Sequence, residues 1–257
     1  MPMIKNSEQS EREFEKNNFN YHFVELKTRL FLCVITFIFF ALISYYFSEQ
    51  IYGFLTKPLL EIYSPKAGRR LIFTNLTEAF FTYFKVACYS GFIFSFPFIA
   101  FQLYFFVAPG LYRKEKWTLI PILLFIPVLF FLGAATVYYF VIPMAWKFFL
   151  SFENLNSTEY LPVMLEAKIS DYLDLTLEMI IGFGIAFQLP VIALLLAKAK
   201  VLKGSWLADK RKYAVVAIFI VAAILTPPDV ISQVLLAIPL LLLYEISIVI
   251  CKVIEKV

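Results

Sequence analysis

The sequence predicts an all-α membrane protein with six transmembrane helices and both termini on the cytoplasmic side. Uncharged apolar runs reach the length of a bilayer, and the basic residues between them collect mostly on one side. The chain is 61% hydrophobic and 16% charged, whereas about a quarter of the residues of soluble domains are charged. A run of about 18 apolar residues spans the hydrocarbon core as a helix, because no water there can bond to open backbone groups.

The apolar runs place six spans in a single domain covering residues 1–257. They follow a polar tail at 1–29 and lie at 30–47, 79–107, 119–142, 175–197, 213–226 and 231–250. The second run is about 43 Å long as a helix, so it should tilt or kink near Pro97. The fifth run and the uncharged part of the sixth are each only about 21 Å long. These two short helices should thin the bilayer locally.

The orientation follows from the positions of the Lys and Arg residues. Sixteen of the 23 lie in the two terminal tails and in loops 108–118 and 198–212, and six lie in the opposite loops. Because cytoplasmic segments are enriched in basic residues, both termini are predicted to be cytoplasmic. The net charge of +4 is therefore a mark of topology, and no nucleic-acid partner is expected. The outward loops 48–78 and 143–174 are long enough to form a cap.

The sequence lacks the residues of common enzymes and metal sites. It contains one histidine, His22, and its three cysteines show no metal-binding spacing. A hydrolytic triad or a zinc site therefore cannot be assembled from familiar motifs. There is also no glycine-rich loop that would cradle a phosphate. We expect no catalytic activity, no cofactor and no metal.

Two carboxylates stand out on the predicted cytoplasmic side. Glu25 precedes Arg29 by four residues, the favourable spacing for an ion pair on a helix. Glu115 is a lone carboxylate among three cations. The simpler interpretation of the Glu25–Arg29 pair is an ordinary helix start at the membrane interface. The simpler interpretation of Glu115 is a solvated loop charge.

Polar residues inside the spans are a stronger signal, because burying them in hydrocarbon is unfavourable without a partner. Lys85 and Glu178 lie near the outer ends of their spans, where snorkelling accounts for them. Gln188 is mid-span, two residues before Pro190. Its amide needs a partner either across a helix interface or on a passing substrate, and both alternatives remain open.

Six blocks of sequence resemble, in order and spacing, the TatC subunit of the twin-arginine protein translocase. They extend over about residues 22–250 and comprise His22 to Leu30, Lys57-Pro58-Leu59, Thr77 to Phe80 with Lys85, Phe106 to Glu115, Gly182 to Pro190, and Leu225 to Gln233. The resemblance implies a cup-shaped receptor of six helices that binds twin-arginine signal peptides of folded proteins. It also implies transport that is driven by the proton motive force.

The resemblance assigns roles to particular residues. It implies a signal-peptide site formed by Glu25, Glu115, Phe106, Arg29 and Lys27. Two fixed carboxylates suit a pair of guanidinium groups, since each can accept paired hydrogen bonds. Lys27 stands where the family usually has arginine, and Gln188 stands where relatives often have glutamate.

Partners and location are further implications of the resemblance. Single-span TatA- and TatB-type proteins would dock beside the short fifth and sixth spans, at Leu225, Asp229 and Gln233. Asp229 is also suited to cap the sixth helix. Structural roles are expected for Pro58, Pro109, Pro227 and Pro228. The protein should contact lipid, associate with itself and reside in a bacterial cytoplasmic membrane, with an organellar inner membrane as the alternative.

Two other classes of function compete with this reading. One is a small solute transporter in which Lys85, Glu178 and Gln188 line a path. The other is a membrane scaffold without a transport role. Dependence of export on the arginine pair of a signal peptide separates the translocase receptor from both.

Overall fold

The computed structural model describes residues 3–62, 70–107, 116–154, 161, 163–225 and 230–255. These residues form helices and no extended strand. In chain order the helices are α1 (Met3–Tyr46), α2 (Ser48–Ile62), α3 (Glu78–Val107), α4 (Lys116–Thr136), a π-helix (Val137–Val141), α5 (Ile142–Leu150), α6 (Ile169–Ala186), α7 (Leu189–Lys198), α8 (Gly204–Asp209), α9 (Arg211–Leu225) and α10 (Val230–Glu255).

The membrane-spanning helices agree with the sequence prediction, with differences at their ends. Among the described residues, five helical segments are long and apolar enough to cross a bilayer: Phe23–Tyr46, Glu78–Phe106, Leu123–Leu150, Ile169–Lys198 and Gln233–Glu255. The sixth apolar helix, α9, has 15 residues and is short, as predicted. The prediction of a short sixth helix is wrong, because α10 has 26 residues. The uncharged run ends at Tyr244, but Glu245 is about half exposed and paired with Arg211, and a surface charge of this kind does not end a helix.

The first span is the C-terminal half of a much longer helix. Most of the polar tail predicted at 1–29 belongs to this helix, since α1 is continuous over 44 residues. Its tertiary contacts are mainly with α3. Gly91 of α3 allows this close approach, since a Cβ there would lie 2.6 Å from the Cα of Ala41. The remaining surface of the span is exposed, which leaves α1 at the edge of the bundle.

The core between α4 and α6 depends on two glycines that face aromatic rings. A Cβ at Gly184 would lie 2.5 Å from the ring of Phe130, and one at Gly133 would lie 2.7 Å from the carbonyl oxygen of Phe183. Phe130 is fully buried and stacks on Phe96 with 3.8 Å between ring centroids. Small residues thus bring two membrane helices close enough for their side chains to interlock.

The two segments predicted to form a cap pack against each other. A parallel bridge joins Ile72 to Lys168, and the amide of Ile169 donates to the carbonyl oxygen of Ile72 at 2.9 Å. Glu78, the first residue of α3, accepts hydrogen bonds from the Thr74 amide and the Ser170 hydroxyl, both at 2.8 Å. These bonds tie the start of α3 to the start of α6.

The cap also contains α2, a helix with a proline at position 58. Pro58 has no amide hydrogen, so the carbonyl of Phe54 one turn earlier loses its helical partner. The Tyr138 hydroxyl donates to this carbonyl oxygen at 2.7 Å, and the Tyr172 hydroxyl donates to the carbonyl oxygen of Leu55 at 2.6 Å. The Tyr138 hydroxyl thus supplies the hydrogen bond that the Phe54 carbonyl loses to Pro58, and the Tyr172 hydroxyl adds a contact to the backbone of α2.

A π-helix precedes a second proline, Pro143. The amide of Ile142 donates to the carbonyl oxygen of Val137, five residues earlier. This wider turn presents Tyr138 toward α2, where its ring stacks on Phe54 with centroids 4.5 Å apart. Single π-turns often occur at functional sites.

Candidate functional site

A polar cluster joins α1 to α3 at the end predicted to be cytoplasmic. Oε1 of Glu25 accepts hydrogen bonds from Nε and Nη2 of Arg29, at 3.0 and 2.7 Å. Nη1 of Arg29 then donates to Oε1 of Gln102 at 3.1 Å, and the guanidinium lies 6.0 Å from the ring centroid of Phe105. The side chains of Arg29 and Glu25 are 25% and 20% exposed. The pair predicted from spacing is therefore present, and Gln102 anchors it to a second helix.

This geometry holds a charged carboxylate in a fixed, partly buried position. A carboxylate offers about four acceptor sites and can bind more than one guanidinium. Lys27 is exposed on the same helix, and Phe106 is partly buried at the end of α3. Glu115 and Pro109 lie outside the described residues. The cluster is chemically suited to bind a cationic group beside aromatic surface.

Gln188 lies at a break between α6 and α7, in the middle of the fourth span. Pro190 cannot donate to the carbonyl of Ala186, so the helix is interrupted there. Nε2 of Gln188 donates to the carbonyl oxygen of Ile126 on α4 at 2.9 Å. Its Oε1 is buried without a hydrogen-bond partner among the described residues. The NH₂ group of the amide thus joins two helices. For this group, the structure supports the alternative in which the partner of Gln188 lies across a helix interface.

The structure gives Lys85 a partner on another helix. Nζ of Lys85 lies 2.6 Å from Oδ2 of Asp174, so an ion pair joins α3 to α6. Asp174 is 89 residues away from Lys85 in the chain, so no local pattern indicates this pair. Glu178 is exposed on α6. Ten residues separate it from Gln188, a distance of about 15 Å along a helix.

The short fifth helix is fastened to the sixth by two polar contacts. Nε2 of Gln233 donates to the carbonyl oxygen of Phe219 at 2.9 Å. Nε and Nη2 of Arg211 donate to the two carboxylate oxygens of Glu245, at 2.7 and 2.9 Å. Leu225 is the last residue of α9. Asp229, Pro227 and Pro228 lie outside the described residues.

No group of three or more His, Cys, Asp or Glu residues that would hold a metal ion occurs in the part of the chain that the structure describes. The fold and the site together define a class: a multi-span helical membrane protein with a fixed carboxylate near one membrane surface and polar groups between its helices.

Comparison with known proteins gives the family within this class. The model of the family described as "Sec-independent protein translocase protein (TatC)" matches residues 21–239. The chain belongs to the TatC family of the Tat translocase, which is a protein-transport family. It is 50% identical to the TatC protein of Rickettsia prowazekii over 238 residues, which cover 93% of this chain and 94% of the relative.

Other relatives and a solved structure agree with this membership. The TatC protein of Magnetococcus marinus is 48% identical over 235 residues, covering 91% of this chain and 84% of that protein. The structure named "Crystal Structure of Twin Arginine Translocase Receptor- TatC" is 39% identical and has a TM-score of 0.79. It covers 91% of this chain and 99% of its own. The expected fold, an all-α membrane bundle of the TatC kind, is confirmed.

Proposed function

We propose that this chain is the receptor that binds twin-arginine signal peptides at the start of Sec-independent transport of folded proteins. The observation that carries the proposal is the carboxylate of Glu25, held by Arg29 and anchored through Gln102. A peptide arginine needs a fixed acceptor, because its planar guanidinium gains most from two parallel hydrogen bonds. Glu115, in the matching family block, is proposed as the second acceptor.

The positions of Arg29 and Phe105 support binding beyond simple charge attraction. Arg29 restrains the Glu25 side chain, so little rotamer entropy is lost when a peptide binds. Phe105 is 48% exposed beside the cluster and offers a ring face on which a second guanidinium can stack. Partial burial of Glu25 strengthens its attraction to a cation relative to a fully solvated carboxylate.

The proposal is tested by peptide binding to the full-length protein in lipid nanodiscs. Replacing Glu25 or Glu115 with alanine should weaken binding of a twin-arginine peptide ten- to a hundredfold, because one charge-assisted bond contributes about 1.5–3 kcal/mol. Glu25→Gln keeps an acceptor for Arg29 and separates loss of charge from loss of packing. Asp209→Asn, an exposed carboxylate on α8, is the matched control. Unchanged affinity in the folded Glu25 and Glu115 variants would reject the assignment.

We further propose that single-span TatA- and TatB-type partners dock beside α9 and α10, at Leu225, Asp229 and Gln233. The 15 residues of α9 extend about 22 Å, less than the ~30 Å hydrocarbon core, so a partner helix there reduces the mismatch. Photocrosslinkers at Leu225 and Gln233 should capture the partners. A crosslinker at Ile38, exposed on α1, is the control, and capture there alone would reject this docking face.

The cellular setting completes the proposal. The chain is a multi-span membrane protein, and we place it in a bacterial cytoplasmic membrane with both termini in the cytoplasm. We propose that the proton motive force drives transport, in keeping with a sequence that has no phosphate-cradling glycine loop. Collapse of the proton gradient in vesicles should stop export while leaving peptide binding intact. Export that continues without a gradient would reject this step.

A further inference from the structure

A large apolar cavity lies between α2, α3, the π-helix region and α6. Its volume is about 430 Å³, and its walls include Ile51, Phe54, Ile93, Phe131, Leu177 and Ile180. The wall residues from α3, α4, the π-helix and α6 all belong to segments long and apolar enough to span a membrane. The cavity therefore lies at the depth of the hydrocarbon. Phe54 and Phe94 are about half exposed at its edge, so it opens sideways.

A smaller polar pocket adjoins this cavity. It has a volume of about 130 Å³ and is lined by Lys57, Pro58, Glu61 and Pro143 together with three aromatic residues. The same three residues, Phe54, Tyr138 and Tyr139, also line the apolar cavity. The two spaces are thus neighbours on either side of one aromatic wall, with the polar pocket toward the end of α2.

The shared wall is fixed by the backbone features at Pro58 and Pro143. The hydroxyl of Tyr138 is bound to the carbonyl oxygen of Phe54, and the two rings are parallel within 1°. The π-helix places Tyr138 and Tyr139 in succession on this wall. The Phe54–Tyr138 part of the wall is thus held by contacts within the protein and does not require a ligand.

The charges of the polar pocket form a complementary pair. Lys57 and Glu61 are one helical turn apart on α2, and both are exposed. Neither makes a hydrogen bond or an ion pair with another residue of the described chain. A ligand with one negative and one positive group, above an apolar tail, would satisfy both charges and fill the cavity.

We propose that these two spaces form a binding site for a zwitterionic phospholipid with a phosphoethanolamine headgroup. Lys57 binds the phosphate, Glu61 accepts hydrogen bonds from the ammonium group, and one acyl chain enters the cavity. At about 430 Å³ the cavity has room for much of an acyl chain. The lipid belongs to the leaflet that contains α2, at the end of α1 opposite to Glu25.

The site is tested with phosphatidylethanolamine that carries a photoreactive diazirine in one acyl chain. The probe is crosslinked to the purified full-length protein in detergent, and the adducts are mapped by mass spectrometry. Adducts should map to cavity-lining segments of α3 and α6. Ala135→Phe, which fills the cavity, should lower their yield at least tenfold. Val128→Phe, on the exposed face of α4, is the control and should leave the yield unchanged.

Competition with unlabelled lipids tests the headgroup. Phosphatidylethanolamine should compete about tenfold better than phosphatidylglycerol or diacylglycerol. Lys57→Gln should weaken both phospholipids, and Glu61→Gln should remove the preference for the zwitterion. Glu49→Gln, also on α2, is the control for these charge changes. These surface variants keep the test valid even if Ala135→Phe fails to fold.

Three results would overturn the proposal. The first is equal crosslinking of wild-type and folded Ala135→Phe protein. The second is equal competition by all three lipids, with no effect of the Lys57 or Glu61 change. The third is displacement of the probe by an apolar peptide and not by phospholipid, which would identify the cavity as a peptide site.

Discussion

The bond between Tyr138 and the backbone at Pro58 can be tested by a double-mutant cycle. Tyr138→Phe removes the hydroxyl that donates to the carbonyl oxygen of Phe54 at 2.7 Å and keeps the ring. Tyr138 is 7% exposed, so water cannot readily replace the lost bond. The carbonyl lacks its helical partner because residue 58 is proline. Pro58→Ala restores an amide hydrogen that can take the place of the hydroxyl.

The magnitude follows from the cost of a buried, unpaired carbonyl. Tyr138→Phe should destabilise the wild-type background by about 1–3 kcal/mol. For a chain of this size, each kcal/mol lowers Tm by roughly 2–4 °C. In the Pro58→Ala background the same change should cost only a few tenths of a kcal/mol. The coupling between the two sites should therefore fall within the roughly 0.5–3 kcal/mol measured for residues in direct contact.

The assay is thermal unfolding of the four proteins in one detergent, followed by an intrinsic or thiol-reactive fluorophore. Tyr139→Phe is the matched control, because the Tyr139 side chain is 65% exposed on the same π-helix. Its Tm should equal that of the wild type. An equal drop in Tm for Tyr138→Phe in both backgrounds would refute the link between the hydroxyl and the proline.

Three further predictions address packing, the intramembrane amide and topology. Gly184→Ala should destabilise the protein by about 1–3 kcal/mol, since the added Cβ would overlap the Phe130 ring. Gly53→Ala, at a position with open space, should be neutral or stabilising, and similar Tm values for the two variants would contradict the packing argument. Gln188→Leu removes the hydrogen bond to α4, and such bonds contribute about 0.6 kcal/mol on average, so export in vesicles should fall about threefold while peptide binding is unchanged. Equal loss of export and of peptide binding would place Gln188 in folding or recognition. A cysteine at Lys203, in a cysteine-free background, should react with an impermeant thiol reagent only after the inner face is opened, and labelling of intact cells would reverse the topology.

Much of the bundle could be predicted from the sequence because hydrophobic length is a local property. The second span was expected at 79–107, and α3 runs from Glu78 to Val107. The short α9 was also anticipated. By contrast, the sequence pattern predicts a loop where α2 lies, because Gly53, Lys57 and Pro58 interrupt the apolar run. The Tyr138 hydroxyl that bonds to the backbone of α2 lies 84 residues away in the chain, and no local pattern indicates that contact.

In the candidate site, too, contacts between residues close in sequence could be predicted, whereas contacts between distant residues could not. The pair of Glu25 with Arg29 follows from i,i+4 spacing and is present in the structure. Gln102 lies 73 residues from Arg29 in the chain, so no local pattern indicates the contact between them. The same holds for Lys85 and Asp174, which are 89 residues apart in the chain. The residues that bind partners and signal peptides in the proposal remain predictions.

The backbone at Pro58 has a consequence for the order of events during biosynthesis. The tyrosine that satisfies the Phe54 carbonyl follows it in the chain by 84 residues. At about 5–20 residues per second, a ribosome makes Tyr138 roughly 4–17 s after Phe54. Until then this carbonyl needs water as its partner, so this part of α2 stays where water can reach it. The cap therefore closes only after the π-helix of the third span has been synthesised.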